Sequence, residues 1–180
     1  MDAVSTPGAV AMVPDSPDQR LATLFDTQYD RLYRLARRLS PSADDALDLV
    51  QETFLKVAAG SASVPVGDRA EEAYLVRVLV NVRKDQWRKE RVRARHAEPP
   101  LASDNGGGAE ASLLAHDEIW RALDTLAPRR RAVVVMHELE GLSAAEIASL
   151  LGVAAVTVRW HLFRGRRDLA AALHGKGRTS

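Results

Sequence analysis

Between His96 and Ser112 the chain reads HAEPPLASDNGGGAEAS, and this stretch limits the fold more than any other feature. A double proline and a triple glycine disfavour helix or strand, and three acids with no Lys or Arg give the composition of a flexible acidic linker. Its seventeen residues span roughly 20 to 25 Å as a coil and about 55 to 60 Å when taut. A 180-residue chain divided in this way is expected to form two small bodies that are free to sit well apart.

Both flanking parts carry apolar residues at helical spacing, and no strand pattern appears. Residues 1–15 lack periodicity and read as a disordered tail. Ser16, Pro17 and Gln19 then supply an N-cap, a first-turn proline and a capping-box partner. Leu21, Leu24, Phe25, Leu32, Leu35, Ala36 and Leu39 follow as the apolar stripe of a helix that Ser40-Pro41 ends. A second helix is expected from about Ser42 to Gly60, with Asp44 and Asp45 at its dipole-favoured start and Val50, Phe54, Val57 and Ala58 facing inward. Residues 61–69 read as a loop. The next helix buries Leu75, Val78, Leu79 and Val82, and beyond Arg83 it is almost wholly charged and should project from the core.

After the linker, Ile119, Ala122, Leu123 and Leu126 mark a helix that Pro128 terminates, and Ala132, Val133, Val135, Met136 and Leu139 mark another ending at Gly141. Ser143 to Glu146 spells a capping box, Ile147, Leu150 and Leu151 face inward, Gly152 turns the chain, and Val158 and Leu162 anchor a further helix. The expected fold is all-α: two small helical domains joined by the acidic linker, the second a helix-turn-helix, winged-helix-like domain. The boundaries are 1–15 tail, 16–95 first domain, 96–112 linker, 113–174 second domain and 175–180 basic tail.

The formal net charge is only +1, so the charges matter through their segregation. Arg77 to Arg95 holds eight Lys/Arg against two acids, with Asn81 and Trp87 set among them, which suits contact with nucleic acid. In the helix-turn-helix, Arg159, Trp160, His161 and Arg164 lie off the Val158/Leu162 stripe and are placed for base edges or phosphates, while Arg166, Arg167, Lys176 and Arg178 extend the positive field. Asp44, Asp48 and Glu52 instead form an acidic stripe beside Gln51 that would repel DNA and suits a basic protein partner. The chain has no cysteine, and the first 18 residues carry acids where a secretory signal would be positive, so a cytoplasmic protein without membrane insertion is expected. No catalytic, metal-binding or cofactor-binding motif stands out. The five histidines are scattered, and His137 and Glu138 point to different helix faces.

Taken together, roughly Leu21 to Leu173 resembles a bacterial sigma factor of the extracytoplasmic-function group, the minimal two-domain members of the sigma-seventy family. DLVQETFLKV, Asp48 to Val57, resembles the family's core-polymerase-binding helix. Arg77, Asn81, Asp85 and Arg88 stand at the spacing of its promoter-melting and minus-ten segment, and GLSAAEIASLLGV with TVRWHLFRGR is similar to its minus-thirty-five reader. The resemblance implies a non-enzymatic protein that binds core RNA polymerase at the beta-prime clamp and beta flap, and promoter DNA. An anti-sigma factor is implied as its regulator. By resemblance, Asp44, Asp48, Gln51, Glu52 and Phe54 meet polymerase. Arg77, Asn81, Lys84, Asp85, Arg88 and Lys89 meet the minus-ten element, and Thr157, Arg159, Trp160, His161 and Arg164 the minus-thirty-five element.

The chain departs from the family pattern at Leu47, which bears on the polymerase contacts beside Asp48, and at Tyr74, Ala154 and Trp160-His161, which bear on the promoter sequence read rather than on the function. Tyr74 and Trp87 each have two readings, a stacking platform for a base or a core aromatic. The alternative function is a stand-alone helix-turn-helix regulator acting on a palindrome without polymerase, although no dedicated dimer face is evident.

Overall fold

A computed structural model describes residues 17–60, 64–96 and 118–174. The expected Ser16 cap, residues 61–63 of the loop, residues 97–112 of the linker and the basic tail at 175–180 lie outside the described residues. Seven helices occur among them, and no strand, so no β wing accompanies the helix-turn-helix there. No single described helix is long and apolar enough to cross a membrane.

Helix α1 (Pro17–Leu39) starts at its proline and ends where Pro41 forbids another turn. Helix α2 (Ala43–Ala59) is capped by Ser42, whose hydroxyl accepts from the Asp45 amide at 3.1 Å. Its inner face buries Leu49, Val50, Phe54 and Val57, and the buried Thr53 hydroxyl donates to the Leu49 carbonyl at 2.7 Å. The return to α3 (Asp68–His96) is pinned by Arg20, whose Nη2 donates to the carbonyls of Val64 and Pro65 at 3.0 and 2.5 Å.

At 29 residues, α3 runs for about 43 Å. Its first half is buried on more sides than the single expected stripe allows: Leu75, Leu79 and Val82 are enclosed, but so are Ala73, Val76 and Val80. The second set lies on the flank that meets the other half of the chain, where Ala73 lines a cleft against Leu142 and Leu150. Beyond Gln86 the helix is mostly exposed, as its charge requires.

In the second half, α4 (residues 118–124) leads into α5 (Pro128–Glu138), α6 (Ala144–Leu151) and α7 (Ala155–His174). Helix α5 is apolar nearly all round and forms the centre of this body, with Ala132 through Met136 all buried. Three arginines crowd its first turn, the wrong sign for a helix N-terminus. Two of them are offset by carboxylates, Arg130 by Asp168 and Arg131 by Asp124.

The expected capping box is present: Ser143 Oγ accepts from the Glu146 amide at 3.2 Å, and the Glu146 carboxylate accepts from the Ser143 amide at 2.8 Å. Gly152 ends α6 at φ +63°, a left-handed cap that favours glycine, and α6 and α7 meet at 110°. Gly165 lets α7 cross α5 closely, since a Cβ there would stand 2.5 Å from Val134 Cγ2.

The linker leaves the halves free to sit well apart, and in the structure they are packed together. Helices α5 and α6 lie against α1 and α3, and a single apolar core runs from Leu24 through Leu162. A long linker permits separation without demanding it, and the buried flank of α3 supplies the reason for contact.

Candidate nucleic-acid interface

The structure sorts the predicted side chains by exposure. On α2, Asp44, Asp48 and Gln51 are exposed along one face, and Glu52 is half-buried. Phe54, grouped with them by resemblance, points the other way. It is 8% exposed and packs on the Phe25 ring with centroids 4.8 Å apart, so it holds α2 to α1 instead of presenting itself to a partner. Leu55 takes the surface position, 71% exposed beside Asp48, Gln51 and Glu52 at helical spacing. The reading from sequence missed Leu55; the available signal was its place on the acidic stripe.

Helix α3 carries Asn81, Asp85, Arg88 and Lys89 exposed, with Arg77 and Lys84 half-buried. The spacing 77, 81, 84, 85, 88 keeps five of these on one broad face. Tyr74 is half-buried and packs against the core. Trp87 is half-buried, and the Arg91 guanidinium lies 4.8 Å from its ring centroid, a cation–π contact on the basic surface.

Helices α2 and α3 are fastened to each other through the candidate residues. Gln86 Nε2 donates to Glu52 Oε2 at 2.9 Å, and Lys56 Nζ lies 3.5 Å from Glu52 and 3.9 Å from Asp85. The acidic and basic faces are therefore joined to each other through their own side chains.

On α7, Arg159, Trp160 and Arg164 are exposed, while Thr157 and His161 are half-buried. The Trp160 ring has Arg130 and Arg164 guanidiniums 5.8 and 5.7 Å from its centroid, so it is held among cations at the surface. His161 turns toward α5: its Nδ1 is shielded without a partner, and burial, with the charges of Arg130 and Arg129, lowers its pKa below the ordinary histidine value. It is less available to DNA than its neighbours. Phe163 and Val156, 64% and 66% exposed, were not singled out from sequence; with Trp160 they form an apolar strip along the outer face of α7, suited to thymine methyl groups. Arg166 is tied to Glu138 at 2.7 Å. Among the described residues no group of His, Asp or Glu is arranged to hold a metal ion.

Two helical bodies, the second bearing a helix-turn-helix with a cationic outer face, make this a protein of the transcription-factor kind. The family model described as Sigma-70 region 2 matches residues 24–93, and that described as Sigma-70, region 4 matches residues 116–169. The ECF RNA polymerase sigma factor SigE of Mycolicibacterium smegmatis is 39% identical over 147 residues, 78% of this chain and 56% of that protein. The RNA polymerase sigma-E factor of Streptomyces coelicolor is 36% identical over 151 residues, 82% of each chain. Among solved structures, the sigma factor RpoE in complex with the anti-sigma factor NepR from Bartonella quintana superposes with a TM-score of 0.53 at 24% identity, covering 87% of this chain and 96% of RpoE. CnrH in complex with the cytosolic domain of CnrY gives 0.57 at 22% identity, covering 88% and 90%, and shows the same fold. The chain belongs to the ECF sigma factors of the sigma-70 family, which direct promoter-specific transcription initiation.

Proposed function

We propose that α2 docks this sigma factor on core RNA polymerase and that α3 and α7 meet the minus-ten and minus-thirty-five elements. The observation that carries this reading is the Gln86–Glu52 and Lys56–Asp85 link, which makes polymerase docking and minus-ten reading properties of one unit. Asp44, Asp48, Gln51 and Glu52, with Leu55 among them, face the beta-prime clamp, and the second body faces the beta flap. Arg77, Lys84, Arg88 and Lys89 hold the separated backbone, while Asn81 and Asp85 offer polar groups to an exposed base. Arg159 and Arg164 contact bases or phosphates beside Trp160 and Thr157.

Partner binding tests this division of labour. Glu52→Lys is expected to abolish capture of purified core polymerase, and so is Asp48→Lys, which lies outside the α2–α3 link; capture equal to wild type by both would refute the docking assignment.

We further propose that an anti-sigma factor is a partner. RpoE of Bartonella quintana, which shares this fold, was solved in complex with the anti-sigma factor NepR, and CnrH in complex with the cytosolic domain of CnrY. In this reading the protein works in the cytoplasm, and is held at the membrane where its regulator is a membrane protein. Co-purification under conditions that silence its promoters is expected to recover a regulator; recovery of polymerase alone would count against it.

A further inference from the structure

Three large apolar side chains stand in water on the second helix of the helix-turn-helix. Val156, Trp160 and Phe163 of α7 are each half or more exposed, and steps of four and three residues put them on one face, opposite the buried Val158 and Leu162. Contiguous apolar surface of this kind marks a place that something covers. Trp160 is also held in position. Its ring meets that of His161 edge-on with centroids 5.0 Å apart, and the Arg164 and Arg130 guanidiniums lie near it, the latter paired with Asp168. An aromatic ordered in advance loses little freedom when a partner arrives.

Charge decides what covers the strip. Arg159 and Arg164, both exposed, stand roughly a fifth of a turn to either side of it. A duplex offers the complement: phosphates rim the major groove on both sides, and base edges form its floor. Val156 is the second residue of α7, and the first turns of such a helix are the ones that reach base edges. From Val156 to Phe163 the strip runs about 10 Å, the length of about three base-pair steps at 3.4 Å. Thymine alone presents a methyl group there. The other bases present only donors and acceptors, which a valine or a phenyl ring would strip of water without replacing the hydrogen bonds.

We propose that Val156, Trp160 and Phe163 read thymine methyl groups, so that this protein selects a minus-thirty-five element with A·T pairs inside a run of about three positions. The proposal rests on the assignment of α7 to that element.

Deoxyuridine in place of thymine tests it, because the exchange removes one methyl group and leaves every hydrogen-bonding group of the pair. Each thymine of the minus-thirty-five element, on either strand of a promoter mapped from transcript starts, is replaced in turn. Binding is titrated with holoenzyme reconstituted from core polymerase and the full chain. Replacement at one to three neighbouring positions is expected to weaken binding by about two- to fivefold each, the scale of one buried methyl group. In Trp160→Ala holoenzyme the penalty at one of these positions is expected to vanish while the others persist, a pattern that a general loss of folding does not produce. An element without A·T pairs, or deoxyuridine without effect at every position, would overturn the proposal. Penalties in Trp160→Ala identical to wild type would overturn the role of Trp160. Loss of regulator capture by Trp160→Ala, with deoxyuridine silent, would give the strip to a protein partner instead. An error in the assignment of α7 shows separately, as holoenzyme binding unchanged when the whole minus-thirty-five block is replaced.

Discussion

Arg83 and Arg131, one from each half of the chain, donate through Nε to consecutive carbonyls at the end of α1, those of Leu39 and Arg38, at 3.1 and 2.8 Å. The last carbonyls of a helix lack intrahelical donors and carry its negative dipole end, so two guanidiniums there satisfy both needs. Both arginines are buried, at 7% and 3% exposure, and burial pulls the Arg131 pKa below its ordinary value, against the pull of Asp124. Arg83→Ala is expected to cost about 1 to 3 kcal/mol in urea unfolding. Arg131→Lys is expected to fall in the same range, because a point ammonium cannot serve Asp124 and the Arg38 carbonyl together. Unchanged midpoints would contradict this account of the α1 terminus.

The α5–α7 crossing makes a second prediction. Gly165→Ala places a methyl group 2.5 Å from Val134 Cγ2, and overpacking of this sort costs about 1 to 3 kcal/mol. Adding Val134→Ala is expected to recover part of that loss, measured as the thermal midpoint of the double variant against each single one. Gly165→Ala with wild-type stability would show that the crossing is looser than described.

What was legible in the sequence was local. The Ser42 cap, the Pro41 stop, the Ser143–Glu146 box and the Gly152 turn each depend on side chains within a few residues, and each is present in the structure. Burial of Ala73, Val76 and Val80 was not legible, because it comes from α5 and α6, which lie far along the chain beyond the linker, and leaves no periodic mark beyond a broadened stripe. Phe54 shows the same limit from another side. Its periodicity placed it on the inner face of α2, where it packs against Phe25, while the resemblance gave the same residue a polymerase contact that an inward side chain does not offer.

That distinction separates two neighbours experimentally. Phe54→Ala is expected to cost about 3 to 5 kcal/mol of stability as a core truncation. Leu55→Ala is expected to leave stability within about 0.5 kcal/mol and to weaken core-polymerase binding by about 1 to 2 kcal/mol. Chemical denaturation and a polymerase titration on both variants check the split; a Leu55→Ala protein that binds polymerase as wild type would remove Leu55 from the docking face.

The shielded His161 gives the second body a pH dependence. Its folded pKa is lowered, chiefly by burial and then by Arg130 and Arg129, so the unfolded chain binds the proton more readily. The contribution is complete above the ordinary histidine value of about 6.5 and is lost as pH falls through that value toward the folded one. Thermal midpoints from pH 8 to pH 5 are expected to drop more for wild type than for His161→Gln. Parallel curves would place the histidine in ordinary solvent.

Transcription by purified core polymerase, with and without this protein, tests the central claim most directly when run on promoters mapped from transcript starts after overexpression. Addition of the protein is expected to switch on initiation at those starts, with Asn81→Ala supporting polymerase binding but impaired opening. No gain in specific initiation over core polymerase alone would contradict the account.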